Sequence, residues 1–94
     1  MNQERSSWTF LSNYSHVLIC LSRDQNPTMR EVAQLVGITE RAVQRIVREL
    51  IEAEILTAEK QGRRNVYHIN PDVHLRHPLE SDRTVGDLLK AILV

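Results

Sequence analysis

Cysteine is almost absent from this sequence. The one thiol, Cys20, sits in the apolar run HVLICL. A single cysteine excludes a disulfide framework within the chain and fits a reducing compartment. In those surroundings it reads as a small buried hydrophobe rather than a redox centre, because a reactive thiol needs exposure and a lowered pKa. Aromatic residues are scarce at 4%, which argues against the stacked base contacts typical of sequence-specific RNA binding. Net charge is absent too: twelve Lys+Arg offset twelve Asp+Glu. That speaks against a protein that coats nucleic acid indiscriminately but allows one basic face. No apolar run is long enough for a signal segment or a membrane span, so a soluble, cytoplasmic protein is expected. There is no Gly-rich phosphate loop, no nucleophile elbow and no HExxH, so catalysis and a cofactor are not expected.

What is present is a globular composition, 41% apolar and 26% charged over 94 residues. One domain is the default at this length. Residues 1–7 are polar and read as a flexible N-terminus. From Trp8 to Ser22 the spacing of Leu11, Tyr14, Leu18 and Leu21 predicts a helix, stopped by Asn26-Pro27. Thr28 and Glu31 make a capping box for a short helix over 29–36. Its inward residues would be Val32, Leu35 and Val36, with Ala33 allowing close approach. Gly37 suits the left-handed position past its end. Ile38 then plugs the turn and Thr39 caps a second helix running to about Ala53. A two-turn helix, a Gly turn and a longer helix follow helix-turn-helix arithmetic.

Beyond it, two β-prone runs flank the polar tip Glu59 to Arg64 and predict a hairpin. Leu56, Tyr67 and Ile69 would point inward, with Val66 and His68 outward. Residues 71–83 show no period and read as an extended arm. Thr84 and Asp87 repeat the capping-box spacing. Val85, Leu88, Leu89, Ile92 and Leu93 then form the apolar stripe of a C-terminal helix over 84–94. The expected fold class is mainly α with a small β-hairpin.

The chemistry concentrates in GITERAVQRIVREL. At ~100° per residue, Val43, Ile46, Val47 and Leu50 share one face. Arg41, Gln44, Arg45 and Arg48 share the opposite face. Arg can fork onto guanine O6 and N7, and Gln onto adenine N6 and N7. An isolated stripe of this kind more often only solvates a helix. Here it follows a capped helix and tight turn, the support that props a helix across a major groove. It also precedes a hairpin tip rich in Lys60, Gln61, Arg63, Arg64 and Asn65. Arg41, Gln44 and Arg45 are therefore the candidate base readers. Thr28, Thr39, Arg48, Lys60, Gln61, Arg63, Arg64 and Asn65 are the candidates for backbone or minor-groove contact.

From Trp8 to about Asn70, the stretch TMREVAQLVGITERAVQRIVRELIEAEILTAEKQGRRNVYHIN resembles a winged helix-turn-helix domain of the MarR/ArsR-like bacterial transcription regulators. WTFLSN before it and HPLE…TVGDLL after it extend the likeness to a group of small regulators. The resemblance implies sequence-dependent binding of double-stranded DNA, usually as a homodimer on a palindromic operator, with repression as the expected mode. Larger MarR-type proteins dimerise through long terminal helices, where many take a small phenolic effector. This chain has little of that length, so a small-molecule effector is not assigned to any residue.

Two readings of the C-terminal helix stand side by side. It packs on its own first helix, or it joins Trp8, Phe10 and Leu11 in a two-fold interface through Val85, Leu88, Leu89, Ile92 and Leu93. A short helix with five large apolar residues must bury somewhere. The second is favoured, because a small domain gains most from dimerisation. Metal binding is weakly suggested by His68 and by His74-x-x-His77, but no Cys/His/carboxylate set has ligand spacing. The competing function is a winged helix used only as a protein-interaction module, which the neutral charge permits.

Overall fold

The computed structural model describes residues 7–24 and 27–93. The sequence reading of residues 1–6, and of Asn26 as part of a helix stop, lies outside the described residues. The elements in order are α1 (Asn13–Arg23), α2 (Met29–Val36), α3 (Glu40–Glu52), β1 (Leu56–Gln61), β2 (Arg64–Ile69) and α4 (Val85–Leu93). Four helices and one antiparallel hairpin are the architecture of a winged helix-turn-helix.

Local chemistry explains why the central helices start and stop where they do. The Thr28 hydroxyl accepts from the Glu31 N–H, and the Glu31 carboxylate accepts from the Thr28 N–H, closing a complete capping box. The helix ends on Gly37 at φ 88°, a left-handed conformation that costs glycine nothing. Thr39 caps α3 by accepting from the Ala42 N–H. α3 ends differently. Glu54 takes the left-handed position at φ 64°. Its N–H donates to the Ile51 carbonyl, and the Ile55 N–H donates to the Leu50 carbonyl. This is a Schellman motif built without glycine.

The core gathers Val17, Leu18 and Leu21 of α1, Val32, Ala33 and Val36 of α2, Val43, Ile46, Val47 and Leu50 of α3, Leu56 of β1, and Val85 and Leu89 of α4. Tyr67 and Ile69 of β2 pack on it as expected. Leu35 does not: it is 71% exposed. Val32, Ala33 and Val36 span an arc centred ~100° from Leu35 on a helix of 3.6 residues per turn, so burying that arc turns Leu35 outward.

The first helix begins five residues later than its apolar spacing suggested. Trp8 and Phe10 instead stack edge to face with ring centroids 4.9 Å apart. Residues i and i+2 lie on different faces of a helix and cannot meet that way. The Thr9 hydroxyl donates to the Leu11 carbonyl at 2.6 Å, which holds the local turn instead.

In the hairpin, Leu56 pairs with Ile69 and the register runs to Gln61 opposite Arg64. Only Gly62 and Arg63 remain as the turn, so the strands reach further than the six-residue tip expected. Residues 71–83 are folded back. The Leu75 N–H donates to Arg83, the Val85 N–H to Val73 and the Gly86 N–H to Pro71. An isolated bridge joins His74 to Thr84. The second capping box then starts α4: Thr84 N–H donates to Asp87 Oδ2, and the Asp87 N–H donates to the Thr84 hydroxyl. α4 packs on α1.

Candidate nucleic-acid interface

α3 is divided by its own periodicity. Val43, Ile46, Val47 and Leu50 are buried in the core, which fixes the helix in position and rotation. Arg41, Gln44, Arg45 and Arg48 are exposed on the other side. Together with Thr39 and Ala42 they line one shallow depression. The four long polar side chains that the sequence grouped are therefore brought together.

A second depression lies between the start of α2 and the wing. Thr28, Arg63, Arg64 and Asn65 line it, with Pro27, Met29 and Tyr67. It joins a helix N-terminus, favourable to anions, to two guanidinium groups. Arg64 also helps hold the Glu31 carboxyl below its ordinary pKa, a smaller effect than the Thr28 backbone and hydroxyl hydrogen bonds. Thr39 uses one hydroxyl lone pair in its cap and keeps the O–H as a donor. Lys60 and Gln61 are exposed on β1 but do not line this depression. Strand alternation puts Lys60 on the face of Leu56, and Gln61 on the opposite one.

Arg45 is held differently from its neighbours. Its Nη1 donates to the Tyr14 hydroxyl at 3.3 Å and to Glu49 Oε2 at 3.3 Å. The Tyr14 hydroxyl donates to Glu49 Oε1. These bonds, Tyr14's first, hold the Glu49 carboxyl below its usual range. Sequence reasoning assigned Tyr14 to the buried stripe of α1 and missed this role. The available signal was a tyrosine, whose ring can pack while its hydroxyl reaches a partner, together with Glu49 one turn after Arg45.

Three histidines have partners within the protein. His74 Nδ1 lies 2.8 Å from the Ser81 carbonyl, and His77 Nδ1 accepts from the Leu79 N–H at 3.1 Å. His68 Nε2 meets Glu59 across the wing at 3.1 Å. Among the described residues no group of three or more His, Cys, Asp or Glu is placed to hold a metal ion. Burial pushes the Cys20 thiol up, away from reactivity. No helix among the described residues is long and apolar enough to cross a membrane.

Residues 15–57 match a family model described as winged helix-turn-helix DNA-binding. That span holds α1 from its third residue, both helices of the helix-turn-helix and the first residues of β1. No curated protein matches the chain by sequence. Among solved structures, the chain is similar to a predicted DNA-binding transcriptional regulator from E. coli. The TM-score is 0.61 at 13% identity, over 84% of this chain and 72% of that one. At that identity the likeness is one of fold.

Proposed function

We propose that the protein is a sequence-dependent double-stranded DNA-binding transcriptional regulator that acts as a homodimer, with occupancy of its operator as the simplest route to repression. One observation carries the reading. The core locks one face of α3 while the other presents Arg41, Gln44, Arg45 and Arg48 as a single cluster of planar and cationic donors. The match over residues 15–57 and the fold shared with a predicted DNA-binding regulator support it.

In this reading α3 enters the major groove, and Arg41, Gln44 and Arg45 read base edges. Arg48 and Thr39 take flanking phosphates. Thr28, Arg63, Arg64 and Asn65 take the backbone beside the wing, with Lys60 and Gln61 reaching phosphates or the minor groove. Two copies would place their α3 helices about one helical turn apart, ~34 Å. The assignment to the MarR/ArsR-like class belongs to this proposal and rests on the sequence resemblance.

Selection of bound duplexes from a random pool at moderate salt tests it. The expected product is a palindromic consensus with half-sites about ten base pairs apart. A pool that never enriches would overturn the reading and favour a protein-interaction role.

A further inference from the structure

Resting on that reading, we propose that Tyr14 and Glu49 are positioning residues for DNA recognition. Neither needs to touch DNA. They fix the guanidinium of Arg45 at the surface so that Nη1 is committed to bonds within the chain and the other edge is offered to a single base.

Tyr14, Arg45 and Glu49 form a three-member ring of bonds. Glu49 is one helical turn beyond Arg45 on α3, and Tyr14 lies in the first turn of α1. Each carboxylate oxygen of Glu49 has its own donor: Tyr14 on Oε1 and Arg45 on Oε2. Arg45 Nη1 is shared between Glu49 and the Tyr14 oxygen. An arginine carries five N–H donors in a rigid plane. Engaging Nη1 leaves the Nε–Nη2 edge, which is itself a two-donor fork with the geometry that guanine O6 and N7 require.

An ordinary i, i+4 ion pair on a surface would do less. Arg45 and Glu49 side chains are 52% and 42% exposed, and such a pair alone is weak and mobile. The third member changes this. Tyr14 comes from another helix whose position is set by Val17, Leu18 and Leu21 in the core. The guanidinium is thereby referenced to the packed body of the protein, not only to its own helix. Side chains held in this way bind with less loss of rotamer freedom and discriminate more sharply among bases.

The ring also separates Arg45 from Arg41, Gln44 and Arg48. Those three have no such anchor among the described residues and can adapt to the groove. Arg45 would be the rigid reader of the set.

The test uses the full chain and the random-pool selection, applied to wild type, Tyr14→Phe, Glu49→Gln, Arg45→Ala and the Tyr14→Phe/Arg45→Ala double variant. Tyr14→Phe removes only an oxygen. It should leave thermal unfolding and affinity for random DNA unchanged, yet lower the preference at one base pair per half-site about tenfold. Glu49→Gln should lower it at the same position. Arg45→Ala should abolish that preference, and adding Tyr14→Phe to it should change nothing further. Three results overturn the proposal alone: an unchanged preference in Tyr14→Phe, an equal loss with and without Arg45, or tighter cognate binding once the hydroxyl is gone. Failure of the wild type to enrich any sequence overturns it together with the functional reading.

Discussion

In the proposed reading Gln44 and Arg63 meet different parts of a duplex. Gln44 lies in the α3 depression and Arg63 at the wing turn. Gln44→Ala should cost ~1–3 kcal/mol on the selected site and relax one base position, with random DNA unaffected. Arg63→Ala should weaken all duplexes alike and reduce the slope of log affinity against log salt by about one. Fluorescence anisotropy on cognate and scrambled duplexes across a salt series separates the two. Glu31 offers a second test at this scale. The Thr28 N–H, and then its hydroxyl, hold the Glu31 carboxyl below its ordinary pKa. The unfolded chain therefore takes up this proton at a higher pH than the folded one. The resulting stability is complete above the ordinary glutamate range and is lost as pH falls through the lowered folded value. Glu31→Gln keeps an acceptor for the Thr28 N–H but cannot titrate. Its urea midpoint should fall less than the wild type's between about pH 6 and pH 3. Which α3 residues face outward was legible in the sequence, because 3.6 residues per turn separates Arg41, Gln44 and Arg48 from Val43, Ile46 and Val47. The ring through Tyr14 was not, because it joins residues 31 and 35 positions apart.

At the scale of elements, two backbone positions make opposite predictions. Glu54 adopts a left-handed conformation that its Cβ disfavours, yet the Schellman bonds hold it there. Glu54→Gly should raise stability by ~1 kcal/mol, read as a higher denaturation midpoint. Gly86 is the reverse case. A Cβ there would lie 2.9 Å from Pro71 Cβ and 3.0 Å from its carbonyl oxygen. Gly86→Ala should therefore destabilise the chain by ~1–3 kcal/mol and loosen the bond from Gly86 to Pro71. Hydrogen exchange at the Gly86 and Val85 amides against those of α3 would localise the effect. The sequence announced α2, its turn and α3 because Thr28, Glu31, Gly37 and Thr39 each carry their own local mechanism. It did not announce the start of α1, where a regular apolar spacing continues through Trp8–Ser12 while Thr9 and the ring pair hold a different conformation. The wing grew for a related reason: Glu59, Lys60 and Gln61 look like loop residues, but strand pairing needs only their backbone.

For the molecule as a whole, the apolar residues of the C-terminal helix are divided. Val85 and Leu89 are buried within the chain itself, so they hold α4 on α1 and are no longer available to a partner. Leu11 and Leu88 are half-buried. Phe10 at 92% and Trp8 at 62% exposure remain, with Ile92 and Leu93 near 40%. These are the residues that the proposed homodimer would cover. The wild type should sediment at twice the chain mass. The Phe10→Glu/Ile92→Glu variant should sediment as a folded monomer and lose about 100-fold or more in affinity for a two-half-site duplex. Single half-site affinity should stay unchanged. A variant that remains dimeric would place the interface elsewhere. The loop between β2 and α4 has a separate consequence. Its two ends are tied by backbone bonds from Leu75 to Arg83 and from Val85 to Val73, while residues 76–82 between them are exposed. An insertion between these anchors costs only the short bonds of the loop tip, such as those from Leu79 and Glu80 to His77. A fluorescent peptide or an affinity tag inserted after Pro78 would ride on the folded body, leaving α3 and the wing unmodified.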